Sequence, residues 1–314
     1  IARNSVFTYK GQAVTVPHVC RELGVRWALE GSVRKAGNRV RVNAQLIDGE
    51  TGGHLWADRF DRDLDDIFAV QDAVTAEIIS ALKLKITADE QNRMGHRPTE
   101  NVAAYDMLLR ARDLIMQATV ESTREARELI AKGLEDDPDY ATAMGGMAMS
   151  YITEYANQFG DDHNVAIDRA EYWADKACKC NSEDPMAMMA KGVCCIWRNR
   201  LDEAREIAER ILHVHPNSMD ARRMIGNIEN YAGNPARAIE MLLDSMRLDP
   251  HFPDLNLHIL GQAYFALERD EAAADAFRQR IERNPHPASR HVFLAGASGH
   301  MGRAEEAKYE CVKP

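Results

Sequence analysis

The residues of this 314-residue chain best suited to bind metal or attack a substrate are its six cysteines and eleven histidines, and their spacing scatters them. Cys178 and Cys180 fall on one expected helix, and Cys194 and Cys195 on the next. Neighbours one or two apart on a helix point to different faces, so the four sulfurs do not converge on one ion. With Cys20 and Cys311 they read as small buried thiols of a reducing cytoplasm. His213 and His215 sit near an expected helix end, where the partial negative charge favours a cation. Asp61-Arg62-Asp63-Leu64-Asp65-Asp66 begins like a calcium loop, but it lacks the glycine at the sixth position and the late glutamate. It reads as a carboxylate-rich helix entrance, with Asp63 or Asp65 as cap. Gly296-Ala297-Ser298-Gly299 has the wrong spacing for a nucleophile elbow. No phosphate-binding loop, zinc-helix motif or dinucleotide fingerprint is present. The chain is therefore expected to be non-catalytic, with no metal and no cofactor, and the chemistry left to it is recognition.

The elements that would present recognition residues are written as a repeat. Arg222 to Pro250 holds an apolar-periodic segment around Ile225-Gly226, a break at Gly233-Asn234-Pro235, a second segment with Ala238, Leu242 and Leu248, and a closing proline. A small residue recurs at Gly192, Gly226, Gly261 and Gly296, spaced 34, 35 and 35. Alanine recurs at 204, 238, 273 and 307, and proline at 216, 250 and 285. Three registers keeping one period of about 34 residues describe stacked helix–turn–helix units, each unable to bury its apolar face alone. Small residues recur because two antiparallel helices approach closely only where side chains are short.

This half of the chain resembles a tetratricopeptide-repeat array, with Arg222 and Asn256 standing where the family places an aromatic. The resemblance implies a mainly α fold, a right-handed solenoid of about six repeats over 101–314, the last incomplete. It also implies a concave groove lined by the first helix of each pair. With Gly226 as the packed position, the groove receives Asp220, Arg223, Asn227, Asn230 and Tyr231. One repeat earlier it receives Met189, Val193 and Trp197, and one repeat later His258, Gln262 and Phe265. Arg223 and Asn227 partly resemble the carboxylate-binding pair of chaperone-type repeats, which His258 and Gln262 do not complete. The amides suit an extended peptide backbone, and Trp197 and Tyr231 offer apolar contact.

Residues 1–60 follow a different period. Arg26–Arg34 and Arg39–Leu46 alternate apolar and polar around Ala36-Gly37-Asn38, a hairpin signal, and His54–Arg59 makes a third strand. Val16–Leu23 reads as a short helix ended by Gly24, and a long helix places Ile67, Val70, Val74, Ile78 and Leu82 on one face. The stretch from Cys20 to Val74, with its LEGSVR, QLID, TG-HLWA-R-D and D-F--QD elements, resembles the TolB-like amino-terminal domain. That resemblance implies a partial, truncated α/β domain over 1–86. It also implies a host such as a bacterial class III adenylate cyclase or a winged-helix transcriptional regulator. An earlier strand and helix belong to the family, so the sheet is expected to show an unpaired edge and to form a homodimer through it. Residues 87–100, polar with Gly95 and Pro98, read as the linker. A start at Ile1 reads as a fragment of something larger.

The charge balance narrows the partners. The chain carries 39 Lys+Arg and 49 Asp+Glu, a net charge of −10. Residues 1–95 hold thirteen of each, so the acidic excess falls on the helical array. An acidic array repels phosphate backbones, which argues against nucleic acid and for a protein or peptide partner with basic segments, another domain of the parent chain included. No apolar run reaches 18 residues, so no membrane partner is expected.

Overall fold

The computed structural model describes residues 6, 8–9, 11–63, 67–82, 98–159, 163–283 and 289–311. The chain is mainly helical and divides into two compact units, residues 3–106 and 107–314. Most of the expected linker (87–97) lies outside the described residues, as do Asp65, Asp66 and Pro285.

In the first unit, helix α1 (Val16–Leu23) carries Pro17 in its first turn and stops at Gly24, whose φ of 64° is the left-handed conformation glycine adopts without strain. Three antiparallel strands follow in the order β1 (Trp27–Ala36), β2 (Arg39–Asp48) and β3 (His54–Asp63). Gly37, at φ 61°, turns the first hairpin, and Trp27 faces Asp48 while Ala36 faces Arg39. The Asp48 carboxylate accepts from the backbone N–H of Glu50 and Thr51, which closes the second turn.

Strand β3 runs four residues beyond the expected Arg59. Asp61 faces Arg41 across the ladder and accepts from its Nε at 2.6 Å, and Phe60 is buried beside it. Asp61 and Asp63 thus belong to a strand, which corrects their reading as a helix entrance or cap. A cross-strand ion pair holds the chain extended past the point where the alternation fades.

Helix α2 (Ile67–Ala81) packs on β3 and β2. Phe68 and Val70 of this helix are buried, as are Val40, Ala44, Leu46 and Phe60 of the sheet. On β1, by contrast, the side chains of Trp27, Leu29 and Val33 stand exposed.

The second unit continues as helix pairs. In chain order the helices are α3 (Val102–Gln117), α4 (Val120–Asp136), α5 (Ala141–Asn157), α6 (His163–Cys180), α7 (Pro185–Trp197) and α8 (Leu201–Val214). They go on as α9 (Met219–Tyr231), α10 (Pro235–Leu248), α11 (Asp254–Ala266), α12 (Asp270–Arg283), α13 (Ser289–His300) and α14 (Ala304–Cys311). Among the described residues this makes six pairs. Thr119 and Ser122 cap α4 reciprocally, and Asp184 and Ser218 cap α7 and α9 by accepting the N–H of Ala187 and Ala221.

The pairs close at their small residues. A Cβ on Gly226 would stand 2.9 Å from Leu242 Cγ and 3.3 Å from the Ala238 carbonyl oxygen. One on Gly261 would stand 2.5 Å from the Phe277 ring. Ala204, Ala238 and Ala273 of the second helices are fully buried. Gly296, although in register, has only Phe265 at 3.9 Å, ordinary contact distance.

The turns joining the two helices of a pair also repeat. Asn199, Gly233, Glu268 and Gly302 all adopt positive φ, between 56° and 83°. Each second helix then packs on the next first helix, and successive first helices touch one another: α5 with α7, α7 with α9, α9 with α11. First helices therefore form a contiguous layer, the arrangement of a tetratricopeptide-type solenoid.

Candidate functional site

The first-helix layer gathers most of the expected recognition residues. The Trp197 ring, at the end of α7, packs edge-to-face on Tyr155 of α5 with centroids 5.1 Å apart, yet keeps 43% of its surface exposed. Tyr231, at the end of α9, is 53% exposed. Both rings stand at the same place in consecutive pairs. Tyr155, two residues before the end of α5, extends the series, and sequence reasoning missed it. The 42-residue step to Trp197 breaks the 34-residue period, so the register gives no signal there; only its place near a helix end does. Large rings left in solvent along one layer are the usual anchors of a protein interface.

The polar candidates are partly engaged with their own array. Arg223 Nη2 lies 2.7 Å from Asp220 Oδ1, a pairing one turn apart, and its side chain is four-fifths buried. Asn230 Nδ2 reaches the Ile259 carbonyl oxygen on α11 at 3.5 Å and so ties two first helices together. Asn227 and Met189 are half-buried, and Met189 pads the core under α7 and α9, as does Val193. His258 stands with Arg280 Nη1 at 2.8 Å from its Nδ1 and with the Phe293 ring edge-to-face at 4.9 Å. Gln262 is half-buried with its carbonyl oxygen out of solvent and without a hydrogen-bond partner among the described residues. Phe265 is stacked on His300 at 4.5 Å. The structure thus divides the set: Trp197 and Tyr231 project, whereas Arg223, His258 and Phe265 are held by neighbours.

The array's cations are committed in the same way. Lys191 meets Asp175 at 2.6 Å and lies within 4 Å of Glu171 and Glu203. Burial works against its charge, but the Asp175 carboxylate more than offsets this and holds the ammonium above its ordinary range. Arg198 pairs with Asp168 and Glu171, Arg200 with Glu171 and Glu203, and Arg127 with Glu154. Arg205 binds Glu229, Arg278 binds Glu306, and Arg280 binds Asp254.

The thiols differ in burial, with Cys178 half-buried between two extremes. Cys20, Cys194 and Cys195 are buried, and burial pushes Cys194 and Cys195 up to about 12, which keeps them protonated and inert. Cys180 and Cys311 are exposed, which corrects their reading as buried thiols: each sits in the last turn of its helix, on the outward face. Among the described residues no group of three or more His, Cys, Asp or Glu is arranged to hold a metal ion. No described helix is long and apolar enough to cross a membrane.

No family model matches the chain. It is 45% identical over 204 residues to "Putative adenylate cyclase 3" of Rhizobium meliloti (strain 1021), covering 65% of this chain and 35% of that protein. It is 30% identical over 86 residues to the DnaJ homolog subfamily C member 7 homolog of Schizosaccharomyces pombe, covering 27% of this chain and 17% of that one. The chain therefore spans about a third or less of these curated relatives. Among solved structures, the APC/C hetero-tetramer Cut9-Hcn1 gives a TM-score of 0.53 at 17% identity, over 79% of this chain and 51% of that one. TTC0263, a thermophilic TPR protein of Thermus thermophilus, gives 0.48 at 15% identity, over 62% and 98%.

Proposed function

We propose that the helical array is a non-catalytic protein-binding scaffold whose first-helix face takes an extended peptide or a docked domain. The observation that carries this reading is the exposure of Trp197 and Tyr231 at the ends of successive first helices. The amide of Asn227 lies one helical turn before Tyr231, on the same face. Rings supply buried apolar area on binding, and amides can pair with a peptide backbone. The acidic excess favours a partner with basic segments over nucleic acid.

The test is fluorescence anisotropy with labelled lysine- and arginine-rich peptides, against acidic peptides of the same length. Wild type is expected to favour the basic set. Trp197→Ala and Tyr231→Ala are each expected to weaken binding about tenfold. An Arg223→Glu, Asn227→Ala double variant reports whether the polar half of the face takes part. Equal binding by every variant would move function to another surface.

A second reading is favoured by the 45% identity to the Rhizobium protein. In it the chain is a regulatory part of a longer cytoplasmic adenylate cyclase, a TolB-like module joined to the repeats, and the partner is another domain of the same parent. This chain alone is then expected to make no cyclic AMP from ATP with magnesium or manganese. Measurable product would overturn the non-catalytic assignment.

A further inference from the structure

Consecutive helix pairs are clasped by ion pairs on the side remote from the loop that joins them. Arg127 of α4 meets Glu154 of α5, and Asp168 and Glu171 of α6 meet Arg198 at the end of α7. Arg205 of α8 meets Glu229 of α9 at 2.9 Å, and Glu271 of α12 meets Arg303, just beyond α13, at 2.5 Å. The joint between α10 and α11 breaks the pattern. Arg237 and Arg247 of α10 pair with Glu240 and Asp244 of the same helix, and among the described residues no ion pair crosses to α11.

The register shows what stands there instead. Arg205 follows Ala204, and its counterpart after Ala238 is Ile239. Glu229 lies three residues after Gly226, and its counterpart after Gly261 is Tyr264. Ile239 and Tyr264 belong to one apolar cluster with Leu242, Ile259, Leu260 and Ala263. At its loop end the same joint is polar. Asn256, 1% exposed, donates to Ser245 Oγ at 3.2 Å, and Ser245 donates to the Met219 carbonyl oxygen at 2.9 Å, which ties α11, α10 and α9 together. Hydrogen bonds and guanidinium–carboxylate pairs fix an angle, whereas apolar contact is non-directional and tolerates sliding.

We propose that the α10–α11 joint is the hinge of the array. It pivots at Asn256–Ser245 and slides at Ile239–Tyr264, so that α3–α10 and α11–α14 swing as two bodies. The polar contact between first helices at this joint, Asn230 to the Ile259 carbonyl oxygen, is long at 3.5 Å. Trp197 and Tyr231 ride on the first body, and His258, Gln262 and Phe265 on the second. The hinge angle therefore sets the width of the first-helix face. The swing belongs to the free array and does not depend on that face binding a peptide.

Pulsed electron–electron resonance on the full chain tests the hinge, with spin labels on azide-bearing residues so that the six cysteines stay in place. Labels at Glu209 of α8 and Gln279 of α12 span the hinge. Labels at Lys179 of α6 and Leu243 of α10, equally two pairs apart, span only clasped joints. All four positions are exposed. The first distance distribution is expected to be at least about twice as broad as the second. Ala236→Glu then supplies the missing clasp. Ala236 precedes Ala238 by two residues as Glu271 precedes Ala273, and Arg269 precedes Ala273 by four as Arg303 precedes Ala307. Positions 236 and 269 are exposed, and unchanged circular dichroism checks the fold. Ala236→Glu is expected to narrow the first distribution to the breadth of the second, and Ala236→Gln to leave it broad. Equal breadths in wild type, a Glu variant as broad as wild type, or a Gln variant as narrow as the Glu variant would each overturn the proposal.

Discussion

At the scale of single residues, the four register glycines do not carry equal burdens. Gly261→Ala sets a methyl 2.5 Å from the Phe277 ring, which is fully buried and has no room to withdraw. Overpacking of this kind costs about 1–3 kcal/mol. Gly296→Ala meets nothing closer than 3.9 Å on an exposed helix face and is expected to stabilise by about 0.5–1 kcal/mol through helix propensity. Chemical denaturation of the two variants checks both signs. The period was legible in the sequence because glycine and proline are scarce enough to count, nineteen and eleven in the chain. What it hid was which glycine is pressed, since that depends on the bulk opposite: Leu242 and Phe277 in two pairs, but no such residue near Gly296. The left-handed turn position was half hidden for a similar reason. Gly233 and Gly302 announce it, whereas Asn199 and Glu268 occupy it without a glycine to mark it.

At the scale of elements, the joint between α8, α9 and the turn into α10 turns on one carboxylate. Glu229 is buried at the end of α9 and accepts from Arg205 Nε of α8 and from Asn234 Nδ2 of the turn, both at 2.9 Å. Burial raises its pKa, but donation by Asn234 and Arg205 outweighs this and holds the carboxyl below its ordinary value. A group depressed in the folded state contributes its stability above the unfolded pKa and loses it as pH falls through the folded one. Glu229→Gln is therefore expected to destabilise at neutral pH by about 1.5–3 kcal/mol. The gap to wild type should narrow as the pH drops below the ordinary carboxylate range. Thermal unfolding of both proteins between neutral and acidic pH checks this, and a pH-independent gap would contradict it. None of this was legible beforehand. The residues lie 24 and 5 apart in sequence, and only the packing angle of consecutive helices brings them together. The groove reading suffered in the same way. Exposed Trp197 and Tyr231 follow from register alone, but the capture of His258 by Arg280 and Phe293 depends on neighbours from two other helices.

At the scale of the whole molecule, two periods in the sequence, two residues for the strands and about 34 for the repeats, mark two units of different construction. In the array, the principal interfaces join each helix pair to the next in line. Such a body bears tension in series, like links, and not in parallel, like the strands of a sheared sheet. Held at its two ends in an optical trap, it should lengthen at modest force in discrete increments. Each increment is one pair, about 34 residues or roughly 110 Å of contour. A single rip of the entire array would mean that distant pairs share load directly. Stepwise yielding would make the array a compliant tether, able to stretch between a partner and the rest of the chain without losing the pairs still folded.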